Sequence, residues 1–148
     1  MFICLTLKAD FCGYLSARKM KSTCIWVKNY QSIVDNGRSH AIVIDLPEGD
    51  NMGPTALELA VMGLSGCIGT IFAMVAKNSK VPIEKLVVEV EAEKGSSTIT
   101  SAKGIVKVKS SADEEKIRKV LKKTLSICPV GLLYKEANIP MQVELVLL

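Results

Sequence analysis

Apolar positions along this chain follow two different periods. From Thr23 to Tyr30 the residues are mostly β-branched or aromatic, Trp26 among them, and Ile33-Val34 leads into Asp35-Asn36-Gly37. That tripeptide predicts a type I′ hairpin, because both central turn positions need φ > 0. Ala41 to Leu46 follows as a strand, and Pro47 to Gly53 as a polar loop. A long helical segment then starts near Pro54-Thr55, where Thr55 and Glu58 have capping-box spacing. It runs to about Lys77-Asn78, a basic residue and an asparagine suited to a helix C-terminus. After Pro82 the period returns to two, with Val88, Val90 and Ala92 on one face and Glu89, Glu91 and Glu93 on the other.

Gly95-Ser96-Ser97 turns the chain, and Ile105 to Lys109 brings it back as a strand. The outward acids can face outward lysines across this ladder, which makes a solvated surface. Ser111-Ala112-Asp113-Glu114 predicts a second capping box, followed by an apolar stripe of Ile117, Val120, Leu121 and Leu125. A short helix from Pro129 to about Glu136 and a strand from Met141 to Leu148 end the chain. The order ββ-α-ββ-α-α-β is that of an α+β domain. Residues 1–19 show no clear period and read as an N-terminal extension; residues 20–148 read as a single domain.

Composition narrows the function classes. The net charge of +4 comes from lysines spread among glutamates, without the clustered basic face and stacking aromatics that nucleic-acid binding needs. Five cysteines at irregular spacing, with no C-x-x-C and a single histidine (His40), fit neither a secreted disulfide framework nor a zinc site. His40 could serve near a site, but is read first as pointing from a strand. A reducing cytoplasm fits this cysteine usage. The uncharged run Leu59 to Ala76 reaches the length of a membrane span, about 18 residues. Glycines, Ser65, Thr70 and Cys67 dilute it, and amphipathic strands on either side need a cover. A buried core helix is therefore the expectation, with no membrane partner.

Two cysteines stand out. Cys128 precedes Pro129, is pushed out of the α region, and is the natural N-cap of the short helix. Backbone N–H groups and the helix dipole at such a position lower a thiol pKa, so Cys128 is expected to be the acidic thiol. Cys67 lies mid-helix, gains nothing from the dipole, and taken alone reads as a small core residue. Gly63, Gly66 and Gly69 surround it, at a cost of about 1 kcal/mol each against alanine in a helix interior. Close approach of a ligand or of a second helix would account for them equally.

Taken together, Gly53-Pro54-Thr55-Ala56-Leu57-Glu58-Leu59-Ala60-Val61-Met62-Gly63-Leu64-Ser65-Gly66-Cys67 resembles the first-cysteine helix of the OsmC/Ohr family of osmotically inducible and organic hydroperoxide resistance proteins. Cys128-Pro129-Val130 resembles its second-cysteine motif. Trp26-Val27 and Ser39-His40-Ala41-Ile42-Val43-Ile44-Asp45 resemble the N-terminal strands of one branch, so the match covers Met20 to Leu148. The resemblance implies an OsmC-like fold, with antiparallel strands around a long central helix, in an intertwined homodimer whose active sites lie at the subunit interface. It also implies a cofactor-free thiol peroxidase acting on organic hydroperoxides. Cys67 would be peroxidatic and Cys128 resolving, with a dithiol such as a lipoylated protein as reductant. Arg38 is the matching candidate for the arginine that holds the first thiolate. Glu58 is the weaker candidate for the acid that orients it, because the position ten residues before the cysteine is Leu57. The alternative is an OsmC-like small-molecule-binding or redox-sensing protein without efficient turnover.

Overall fold

The computed structural model describes residues 17–148; Cys4, Cys12 and most of the expected extension lie outside the described residues. The chain divides into two compact units, the second running from Ala60 to Leu148.

The first unit carries a three-stranded antiparallel sheet in the order β1 (Thr23–Lys28), β2 (Gln31–Asp35), β3 (Ala41–Ile44). Both turns differ from expectation. Asn29 and Tyr30, read as strand, form the tight connection between β1 and β2, with Lys28 paired to Gln31. Asn29 takes φ 45 and its carbonyl accepts the Trp26 indole N–H at 2.9 Å. Asparagine tolerates that left-handed backbone, and the surrounding β-formers hide it in the sequence. The order is thus βββ-α-ββ-α-α-β. The Asn36-Gly37 turn is wider than a two-residue hairpin: residues 36–40 loop out, closed by Asn36 N–H to the His40 carbonyl at 3.1 Å. Aspartate and asparagine side chains override the type I′ preference by capping locally. Asp35 Oδ1 accepts from Gly37 N–H and Asn36 Oδ1 from Arg38 N–H.

Helix α1 (Ala56–Asn78) begins with the reciprocal Thr55–Glu58 capping box, at 2.7 and 3.1 Å. Its C-terminus is a Schellman motif displaced from Asn78. Lys80 takes the left-handed position (φ 55) and Val81 N–H reaches the Ala76 carbonyl at 2.9 Å. By length and composition α1 is apolar enough to cross a membrane, with a mean hydropathy of 2.0. It serves instead as the core helix of the second unit. Leu64, Cys67, Ile68, Ile71, Phe72, Val75 and Ala76, at helical spacing, are its buried stripe.

The second sheet has the order β4 (Lys85–Lys94), β5 (Ile99–Lys109), β6 (Met141–Leu147). Ala102, Val106 and Val108 turn one face of β5 into the core, while Glu89 pairs with Lys107 on the other at 2.7 Å. β6 runs parallel to β5, against the all-antiparallel expectation. The reason is the connection: a crossover through two helices returns the strand in the same direction. Those helices are α2 (Glu114–Ile127) and α3 (Pro129–Glu136). The expected Ser111 capping box is not formed. Asp113 occupies the N-cap without a side-chain cap bond and pairs with Lys116, while Ser110 Oγ takes the Ala112 N–H.

Candidate functional site

Cys67 and Cys128, far apart in sequence, meet in the core of the second unit. α1 presents Cys67 from its buried stripe, between Leu64 and Ile68. Cys128 stands at the corner where α2 ends and α3 begins. It is the C-cap of α2, bonding Thr124 through its N–H, and the N-cap of α3, with Pro129 at the first helical position. Its φ of −64 and ψ of 112 are the extended conformation that a following proline imposes. The Cys128 S–H donates to Cys67 Sγ at 3.0 Å. That is a thiol–thiol contact, longer than the covalent bond of about 2.05 Å. Cys67 is 7% exposed and Cys128 is fully buried.

The electrostatics of Cys128 reverse the expectation from its cap position. Its thiol is pushed far above the usual thiol range, first by the hydrogen bond to Cys67 and then by burial. The cap effect is present, since Gly131 N–H donates to Cys128 Sγ at 3.4 Å and pulls the other way. It is outweighed, because ionisation would destroy the S–H donor and strand a charge in an apolar interior. Cys128 is a proton holder, not the acidic thiol.

The remaining predicted residues lie in the first unit or at its helix start. Arg38 sits in the 36–40 loop, exposed, lining a cleft with Lys19, Lys21 and Asn36. His40 is exposed in the same loop, not on a strand, its Nδ1 3.3 Å from the Asn36 amide nitrogen. Glu58 is bound to the Thr55 backbone as capping partner. Cys24 is exposed on β1. Among the described residues no group of three or more His, Cys, Asp or Glu side chains could hold a metal ion.

Two positions escaped the sequence reading. Asp45 is 1% exposed and accepts from Leu46 N–H at 2.8 Å and Met52 N–H at 3.2 Å, holding the loop that leads into α1. A lone aspartate closing the apolar run Ile42-Val43-Ile44 was the available signal. Gly131, the amide partner of Cys128, gave none beyond its place three residues after the cap.

The family model for OsmC-like proteins matches residues 49–144, which include both cysteines. The chain belongs to the OsmC-like family. No curated protein matches it. Solved structures agree in fold. An OsmC-like protein from Mycoplasma pneumoniae superposes with a TM-score of 0.82 at 16% identity, covering 90% of this chain and 99% of its own. An organic hydroperoxide resistance protein OsmC from Legionella pneumophila gives 0.70 at 11% identity, with 88% and 98% covered. The organic hydroperoxide resistance protein OhrB of Bacillus subtilis gives 0.61 at 17% identity, again with 88% and 98% covered. At such identities the likeness concerns the OsmC-like fold.

Proposed function

We propose that this OsmC-like chain is a thiol peroxidase that reduces organic hydroperoxides through a Cys67–Cys128 dithiol cycle. The observation that carries the reading is the buried S–H donor of Cys128 aimed at Cys67 Sγ at 3.0 Å. A donor of that kind favours negative charge on the sulfur that accepts it. Cys67 as thiolate attacks one peroxide oxygen, the O–O bond breaks, and the alkoxide leaves and takes a proton to become the alcohol. Cys67 is left as a sulfenic acid. Cys128 then attacks that sulfur, its proton leaves with the hydroxide as water, and a disulfide forms. A dithiol, free or carried on a lipoylated protein, restores both thiols. Arg38 is the proposed cation for the Cys67 thiolate; Arg38→Ala is expected to raise the Cys67 thiol pKa, and an unchanged value removes Arg38 from the site.

The active form is proposed to be a homodimer in the cytoplasm, intertwined through α1. One observation supports a second copy: among the described residues a methyl built on Gly63 or Gly66 meets nothing within 4 Å, so α1 is open at these two glycines. Small side chains there let another backbone approach closely. Sedimentation showing only a monomer overturns this part. A non-turnover binding or sensing role has its own support, since Glu58 is engaged by Thr55 and Leu57 stands at the family's acid position.

The deciding measurement is consumption of an alkyl hydroperoxide with a dithiol reductant. Cys67→Ser is expected to lose activity by at least about 100-fold, the scale for removing a nucleophile. Cys128→Ser is expected to accumulate a trappable sulfenic acid. Turnover that survives Cys67→Ser sinks the peroxidase reading and leaves the binding role.

A further inference from the structure

The second unit holds a cavity of about 340 Å³ that the peroxide half of the cycle does not use. Leu125, Leu132, Ile139 and Met141 make it mainly apolar, and Lys135 and Asn138 give it a polar part. Of the lining residues only Gly131 is buried. Gly131 also touches Cys128. Its N–H lies 3.4 Å from Cys128 Sγ, and a methyl built on it would lie 3.5 Å from that sulfur and 3.6 Å from Met141 Cε. The one buried residue lining the cavity is thus a glycine, in contact with the sulfur of a fully buried cysteine.

We propose that this cavity admits the reducing thiol, an alkyl arm carrying a thiolate, and directs it to Cys128 Sγ instead of Cys67 Sγ. The inference rests on the Cys67–Cys128 disulfide proposed above. The incoming thiolate forms a new S–S bond to Cys128 while the Cys67–Cys128 bond breaks, and the electron pair leaves on Cys67 Sγ as thiolate. A second thiolate, from the same dithiol or another molecule, attacks the reductant's own sulfur. That releases Cys128, which takes up a proton, and the reductant departs as disulfide. The direction of exchange agrees with the chemistry of Cys128: a thiol that holds its proton tightly is a poor leaving group, so attack at Cys128 Sγ, which expels Cys67, avoids making Cys128 the leaving sulfur. Lys135 adds attraction for an anionic arm at the polar part of the cavity.

The test uses the full chain oxidised with a diazene reagent. Anionic 2-mercaptoethanesulfonate or neutral 2-mercaptoethanol is added, and the mixture is quenched early with acid and alkylating agent. Peptide mapping is expected to find the adduct on Cys128 and the alkyl group on Cys67. Lys135→Glu, an exposed substitution, is expected to slow the anionic thiol about fivefold more than the neutral one, an electrostatic effect on approach. Gly131→Ala, whose methyl makes ordinary contacts, is expected to slow both. An adduct on Cys67, or equal rates in all three chains, overturns the inference while leaving the disulfide cycle intact. A chain that forms no Cys67–Cys128 disulfide overturns the parent reading and this one with it.

Discussion

The two sheets share a two-residue period, yet β1 in one and β5 in the other come to opposite burial. Every residue of β1 is exposed, and Trp26 is 68% accessible. In β5 every second residue from Ala102 to Val108 is buried. What holds each unit differs accordingly. The second unit has an apolar core, made by the α1 stripe together with residues such as Ile99, Val106, Ile117 and Val120. Among its described residues the first unit is tied at its turns by polar contacts: Asx bonds at Asp35 and Asn36, and the buried Asp45 carboxylate. Alternation of apolar and polar residues reports that a strand has two sides; whether anything covers the apolar one depends on the layers around it.

Core truncation should break the comparison hardest. Phe72 is fully buried on α1, so Phe72→Ala is expected to cost about 3–5 kcal/mol in a urea titration. Trp26→Ala, which removes an exposed ring and its hydrogen bond to the Asn29 carbonyl, is expected to cost about 1 kcal/mol or less if the β1 surface stays exposed in solution. Equal losses would mean that this surface is covered in the native assembly, as the dimer proposal allows.

The polar side of the comparison rests on Asp45. Asp45→Ala leaves the Leu46 and Met52 amides without their acceptor, and is expected to cost about 1–3 kcal/mol. Limited proteolysis in the 46–53 loop is the local readout, and Asp45→Asn, which keeps an acceptor oxygen, should lose less. Unchanged proteolysis in Asp45→Ala would show that the loop is held by other means. Gly53 is one such means: a methyl on it would come within 2.2 Å of the Val43 carbonyl oxygen, so only glycine fits.

Much of the second unit was legible from the sequence because its signals agree across levels. The α1 limits, the α3 start at Pro129 and the Glu/Val alternation of β4 all match the structure. So does Cys128 as N-cap. Legibility failed where two local preferences compete, as at Asn29-Tyr30, where a turn asparagine is followed by a β-forming tyrosine. It also failed where the answer is non-local. The parallel pairing of β6 depends on where the crossover deposits the strand. The proton affinity of Cys128 depends on a partner 61 positions away, and that partner outweighs the cap that was visible locally.

That proton affinity also makes stability depend on pH. In the unfolded chain the Cys128 thiol titrates near the ordinary value of about 8.5. In the folded chain it is raised, by its bond to Cys67 and by burial. Below the unfolded value both states hold the proton, and stability is insensitive to pH. Above it the unfolded state releases a proton that the folded state keeps, so the unfolded state binds fewer protons and stability falls. The slope for one such group is about 1.4 kcal/mol per pH unit. Tyr134, raised by burial, adds a loss of the same sign only once pH passes about 10. Urea titrations between about pH 8 and 9.5 therefore stay below the tyrosine range, and the difference from Cys128→Ala reads this thiol against the other cysteines. Cys128→Ala is expected to be less stable, and its alkaline slope shallower than wild type by up to one proton. Parallel slopes would mean that Cys128 gives up its proton as readily folded as unfolded, and would remove the donor on which the proposed Cys67 thiolate depends.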